Sequence, residues 1–182
     1  MSYPTRVRII DVGPRDGLQN EKTPVPAEVK IALIHQLQAA GLQEIEATSY
    51  VSPKWVPQMA DNHAVMQGIE RQPGVRYSVL TPNMQGWEAA VADRPDEIVV
   101  FGAASEAFSR KNINCSIAES IERFAPVVQA ARAAGVAVRG AMSCTVGCPY
   151  EGEIAPQQVA YLAGLMKGIG VQRVDVADTI GV

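Results

Sequence analysis

In the segment DVGPRDGLQNE, residues 11–21, Arg15 and Asp16 stand side by side in a turn bounded by Gly13 and Gly17. An aspartate here can bind a divalent cation through a carboxylate oxygen. The neighbouring guanidinium can neutralise a developing oxyanion, because its planar fork suits carboxylates and enolates. An ordinary ion pair in a solvated turn fits the same residues, and spacing alone weighs the two readings evenly. Gln19 and Asn20 close the same stretch. Glu46, within IEATS, lies two residues from Glu44, so both carboxylates point to one side of a strand. A carboxylate held inside a fold needs an arginine or a metal as partner. A structural ion pair with Arg15 or another base is the competing reading. Asp178, in ADTIGV, suits a proton-transfer chain or a group that orients a ligand. As a turn residue before Thr179 it weighs slightly more.

Other reactive side chains are less informative. Cys144 and Cys148 form C-x3-C, which matches neither the C-x2-C of zinc sites nor a redox CxxC. They and Cys115 read as small buried or loop-lining thiols. Only two histidines occur, His35 mid-helix and His63 at a helix start, and neither belongs to an H-x-H or H-E-x-x-H pattern. Trp55 and Trp87 read as packing residues. Lys54, Arg110 and Lys111 read first as solvated charges, and second as contacts to the phosphates of a nucleotide-like carrier.

These residues must be placed by alternating elements. Strands are expected at Arg6–Val12, Glu44–Ser49, Arg76–Leu80, Glu97–Phe101, Ala137–Ser143 and Arg173–Ala177. The first helix has Pro26 near its first turn and Gly41 past its end, with Val29, Leu33, Ile34 and Leu37 on one face. A second helix starts after Asp61 and a third covers Asn83–Ala92. A fourth opens at Ser116 with Glu119 three residues on, a capping box. A fifth follows Pro156, with Val159, Leu162, Ala163 and Met166 facing one way. Six strands alternating with helices imply a parallel sheet. No GxGxxG follows the first strand and no GxxxxGK[ST] occurs, which argues against a nucleotide-binding doubly wound sheet. The alternative is a (βα)8 TIM barrel, which takes about 250 residues. The expected fold is therefore an incomplete barrel of about six βα units. Residues 1–182 are read as the N-terminal part of a single domain, with the last two units absent. In a barrel the polar strand-end loops gather on one face, and Arg15, Asp16, Glu46 and Asp178 all map there.

Composition sets the outer limits. Apolar residues make up 47% of the 182 and charged residues 19%, enough for a packed core. A net charge of −3 argues against a general nucleic-acid binder. No apolar run reaches the roughly 18 residues of a membrane span. The start, MSYPTRVRII, lacks an apolar signal block, and three cysteines fit a reducing compartment, so a cytoplasmic protein is expected.

The segments VGPRDGLQNEK, IEATSYVSPKWVPQMAD, FGAASEAFSRKNINCSIAES, RGAMSCTVGCPYEG and ADTIGV resemble, in order and spacing, the 3-hydroxy-3-methylglutaryl-CoA lyase family. The first is shared more loosely by a wider superfamily of barrel enzymes that make or break carbon–carbon bonds. The resemblance implies a metal-dependent TIM barrel that cleaves 3-hydroxy-3-methylglutaryl-CoA to acetyl-CoA and acetoacetate in leucine degradation. It further implies Asp16 as a ligand of Mg²⁺ or Mn²⁺, and Arg15 as the group that binds substrate and stabilises the acetyl-CoA enolate. Glu46 would orient Arg15, Asp178 would assist proton transfer at the tertiary hydroxyl, and Gln19 would line the pocket. The acyl-CoA is the implied partner, with a homo-oligomer possible. The family's His-x-His metal pair, asparagine ligand and loop cysteine have no counterpart here, so the chain alone is expected to be inactive. Ala141, Asp175 and Ala177 depart from the family pattern. Two other readings compete: a superfamily enzyme condensing acetyl-CoA with a keto acid, and a non-catalytic fragment associating through an open barrel edge.

Overall fold

The computed structural model describes residues 5–182. Its strands are β1 Glu44–Ser49, β2 Arg76–Leu80, β3 Glu97–Ala103, β4 Ala137–Ser143, the two-residue strands β5 Gly147–Cys148 and β6 Gly152–Glu153, and β7 Arg173–Val176. The helices are α1 Ala27–Ala39, α2 Asn62–Gly68, α3 Met84–Ala92, α4 Glu106–Ile113, α5 Ile117–Ala133 and α6 Pro156–Gly168. Strands β1, β2, β3, β4 and β7 form one parallel sheet in that order, and β5 and β6 make a small antiparallel pair after β4. Each parallel step crosses over through a helix, as parallel pairing demands. The order follows the chain without reversal, whereas a doubly wound sheet turns back at a switch point. This is a consecutive arc of a barrel.

Two chemically different faces follow from strand alternation. One carries Ile45, Ala47, Ile98, Val100, Val138 and Met142, packed with Ile34, Val65, Trp87, Phe124, Val128, Leu162 and Met166 from the helices. Helix α6 comes in close because the strands offer glycines. A Cβ on Gly140 would lie 2.8 Å from Met166 Sδ, and one on Gly102 would lie 3.0 Å from Met166 Cε. The opposite face of the sheet carries Glu44, Glu46, Ser78, Glu97 and Arg139, all buried. Helix ends match their chemistry: Ser116 and Glu119 form the full capping box of α5, and Asn83 accepts the Gly86 N–H at the start of α3.

Three local expectations are corrected. Residues Arg6–Val12 do not form a strand; only Asp11 makes an isolated parallel bridge, to Ile45. Two hydrogen bonds join it to β1, Asp11 N–H to Glu44 O at 3.0 Å and Glu46 N–H to Asp11 O at 2.8 Å. With no longer ladder, Val7 and Ile9 stay exposed. On α1, Val29 is exposed and Lys30 is buried instead. The ammonium of Lys30 can be buried because it donates to Gln58 O and to Asp61 Oδ1. The stretch read as a loop after β3 contains α4, whose start is capped by Ser105 and whose end is turned by Asn114 at φ 52°. Ser105 followed by Glu106 was an N-terminal helix signal that the sequence reading passed over.

Candidate functional site

A single π-helical turn, Gly13–Gly17, delivers Arg15 and Asp16. Asp11 organises its entry by accepting the Gly13 N–H at 2.9 Å, and a Cβ on Gly13 would sit 3.0 Å from that same carboxylate oxygen. Glycine there lets the Asp11 carboxylate approach the turn closely. The Asp16 N–H closes onto Val12 O at 2.6 Å, and Asn20 Nδ2 donates to Asp16 O at 2.7 Å. This turn makes Arg15 buried while Asp16 keeps its side chain 52% exposed.

Arg15 reaches from the turn to the middle of β1. Its Nε donates to Glu46 Oε1 at 2.5 Å, and its Nη1 donates to Asp16 Oδ1 at 2.6 Å. Among the described residues, Arg15 Nη2 has no protein acceptor, and it is not sealed from solvent. The sequence posed an ion pair and an anion site as alternatives; the geometry makes the ion pair and leaves one guanidinium nitrogen for an anion.

Glu46 is 1% exposed and shares its two oxygens between two arginines. Oε2 accepts from Arg139 Nη2 at 2.6 Å. Arg139 also donates through Nε to Glu97 Oε2 at 3.0 Å and through Nη1 to Asp175 Oδ2. Farther along, Arg173 Nη2 binds Glu97 Oε2 at 3.1 Å and Glu44 Oε2 at 3.2 Å, and Arg8 Nη1 binds Glu44 Oε1 at 2.8 Å. Opposite charges alternate across the polar face of the sheet. Burial works against the charge on Arg139, but the adjacent Glu46 and Asp175 carboxylates outweigh it and hold the guanidinium above its ordinary pKa. Sequence reasoning did not single out Arg139. The signal available was an arginine inside the strand AVRGAMS, three strands along from the one that carries Glu44 and Glu46.

The other predicted residues are placed as follows. Asp178 lies exposed after β7, and its Oδ1 accepts the Ile180 and Gly181 N–H groups at 3.3 and 2.9 Å. That is the turn role weighed for it. Its Oδ2 takes no protein donor among the described residues. Gln19 is half-buried in the continuation of the Arg15 turn. Thr179 Oγ1 accepts the Cys144 N–H at 2.7 Å, tying this loop to the end of β4. No three His, Cys, Asp or Glu side chains among the described residues converge to hold a metal ion. Asp16 by itself offers one carboxylate, so these residues do not form a complete metal site.

All three cysteines are buried and free. Burial pushes the Cys144 thiol up to about 11. Cys148 is also desolvated, but Ser105 Oγ at 3.0 Å and nearby backbone N–H groups outweigh this and lower its pKa. Trp87 is packed, whereas Trp55, expected to pack, is 84% exposed. Lys111 is held over the Tyr150 ring at 3.8 Å. No helix among the described residues is long and apolar enough to cross a membrane.

Comparison with known proteins adds an independent line. A family model described as HMGL-like matches residues 6–182. The mitochondrial hydroxymethylglutaryl-CoA lyase of Rattus norvegicus is 59% identical over 181 residues, which cover 100% of this chain and 56% of that protein. The cytoplasmic 3-hydroxy-3-methylglutaryl-CoA lyase of Danio rerio is 60% identical over 179 residues, covering 98% and 53%. The chain therefore spans just over half the length of these curated relatives, whose names place them in two compartments. The crystal structure of hydroxymethylglutaryl-CoA lyase from Pseudomonas aeruginosa superposes with a TM-score of 0.95 at 55% identity, covering 98% of this chain and 60% of that one. An Acinetobacter baumannii HMG-CoA lyase, solved in complex with coenzyme A and 3-methylmalate, gives a TM-score of 0.87 at 35% identity, covering 92% and 54%.

Proposed function

The chain belongs to the HMGL-like family, and from that premise we propose that the intact protein is a carbon–carbon lyase cleaving 3-hydroxy-3-methylglutaryl-CoA to acetyl-CoA and acetoacetate. One observation carries this reading: Arg15 is braced from behind by buried Glu46, flanked by Asp16, and keeps Nη2 without a protein acceptor among the described residues. A cleavage that leaves an enolate needs such a cation, fixed in advance, at the oxygen where charge develops.

In this retro-aldol step a base removes the proton of the C3 hydroxyl. The C2–C3 bond breaks, the electron pair moves onto the thioester carbonyl oxygen, and the resulting acetyl-CoA enolate is protonated at carbon. Arg15 binds the substrate and stabilises that enolate. Glu46 fixes the orientation of Arg15. Asp178 assists the proton transfers at the tertiary hydroxyl through the oxygen its own turn does not use, and Gln19 lines the pocket. Asp16 is the one residue here suited to a Mg²⁺ or Mn²⁺ ion, whose further ligands would lie in the length of the relatives that this chain does not match. Residues 1–182 form part of one TIM-barrel domain in this reading, and the partner is the acyl-CoA. The free cysteines fit a reducing interior, and the relatives named cytoplasmic support that compartment.

The test is to incubate the intact protein with 3-hydroxy-3-methylglutaryl-CoA and either metal, and in parallel with acetyl-CoA plus a keto acid. Acetoacetate release that stops on chelation and returns with added metal is expected. Condensation without cleavage would assign the protein to the other branch of carbon–carbon chemistry.

A further inference from the structure

We propose that Arg139 is a positioning residue for Arg15: it occupies the second oxygen of Glu46 and so keeps the outer nitrogen of Arg15 from being spent on the protein. The inference rests on the lyase reading for its kinetic consequence, and on geometry alone for its structural one.

A carboxylate with both oxygens available takes an arginine side-on, through Nε and Nη2 together, because the two spacings match. Glu46 does not do this. It meets Arg15 through Nε and Oε1 alone, while Oε2 lies 2.6 Å from Arg139 Nη2. Arg139 is itself immobilised, with Nε on Glu97 at 3.0 Å, Nη1 on Asp175, and Nη2 also 3.4 Å from Ser78 Oγ. Its side chain is 3% exposed. Without Arg139, Oε2 would be a buried acceptor with no donor, a costly state. Of the two arginines bonded to Glu46, Arg15 then remains, and its unused Nη2 stands beside the Nε that already holds Oε1. Taking it would turn the single contact into a closed fork and remove the nitrogen proposed to meet the enolate. The same sheet position therefore decides whether Arg15 is a substrate-facing cation or half of a sealed ion pair.

The experiment uses the intact protein with Arg139→Gln, Arg15→Lys and their combination. Arg139→Gln is expected to lower kcat by roughly tenfold with KM changed by less than about threefold, since the lost interaction belongs to the transition state. Added to Arg15→Lys, it should cost nothing further. Costs that multiply, or a kcat within about twofold of wild type, would overturn the proposal. Should Arg139→Gln fail to fold, Asp175→Asn decides, because its side chain is 35% exposed and it only loosens the hold on Arg139. It should move kcat in the same direction by about threefold, again without effect in the Arg15→Lys background; an unchanged kcat would count against the proposal. NMR of the Arg15 guanidinium gives a readout free of turnover. In Arg139→Gln an Arg15 Nη2 signal should become slow to exchange alongside Nε, and an unchanged spectrum would overturn the geometric claim. If the wild type shows no cleavage, the lyase reading fails while the NMR result still judges Arg139.

Discussion

Lys30 Nζ lies 2.7 Å from Asp61 Oδ1, with the lysine side chain 1% exposed and the aspartate 27%. The same ammonium donates to Gln58 O. Helix α1 thus grips the end of the loop that joins β1 to α2, the loop carrying Lys54 and Trp55. Lys30→Met should destabilise the chain by about 2 kcal/mol, less than a wholly buried pair because Asp61 remains partly solvated. Hydrogen exchange at residues 52–61 should quicken more than exchange in β3 or β4. Uniform quickening throughout would show that Lys30 does not anchor this loop in particular.

Glu46→Gln should leave Arg15 and Arg139 each short of a charged partner. About 3 kcal/mol of stability is expected to go, read from urea unfolding. In the intact protein turnover should fall by about a hundredfold, as when a fixed transition-state donor is misplaced. Wild-type turnover in this variant would remove Glu46 from any orienting role.

Asp93, at the end of α3, is buried and accepts from Tyr50, from Gln67 Nε2 at 2.8 Å and from His63 Nδ1 at 2.7 Å. Burial alone would raise its pKa; the Tyr50, Gln67 and His63 contacts outweigh burial and lower it. A carboxyl with a depressed folded value adds stability that is complete above its unfolded value, about 3.9, and is lost as pH falls through the folded value. Wild type should therefore lose stability below about pH 4 faster than Asp93→Asn. Parallel urea midpoints for the two proteins across the acid range would show Asp93 uninvolved.

Gly86 lies in the first turn of α3, where alanine normally gains about 1 kcal/mol over glycine. Here an added Cβ would come within 2.9 Å of Tyr50 O and of Pro82 Cδ. The backbone carbonyl cannot step aside, so Gly86→Ala should destabilise by about 1–3 kcal/mol. A raised thermal midpoint would show that the loop after β1 yields more easily than its packing suggests.

Residues 1–182 alone should release no acetoacetate from 3-hydroxy-3-methylglutaryl-CoA with Mg²⁺ or Mn²⁺ added. The reason is the single carboxylate that Asp16 offers and the lack of any convergent ligand group among the described residues. Metal-dependent acetoacetate from the isolated chain would contradict this.

Sequence made most of the scaffold legible because its signals are local. The capping box at Ser116 and Glu119, the Pro156 start of α6 and the β-branched run in β3 each act within a few residues. Where the reading failed, the deciding partner was distant in sequence. Val29 reads as a core position of α1, but Lys30 takes the buried place because Gln58 and Asp61 supply acceptors. The run at residues 6–12 looked like a strand, but a strand requires a continuous ladder, and Asp11 makes only an isolated bridge. Trp55 reads as a packing residue, yet it is 84% exposed.

The amino-acid sequence by itself determined the order of the five sheet strands and of helices α1, α2, α3, α5 and α6, the charge-bearing turn at Arg15 and Asp16, and the shared side of Glu44 and Glu46, since alternation and turn chemistry are written in neighbouring residues. Tertiary structure alone decided that Glu46 serves two arginines at once, 31 residues away in one direction and 93 in the other. Parallel pairing sets β1 and β4 in one sheet with β2 and β3 between them, and burial obliges every charge on that face to find its opposite.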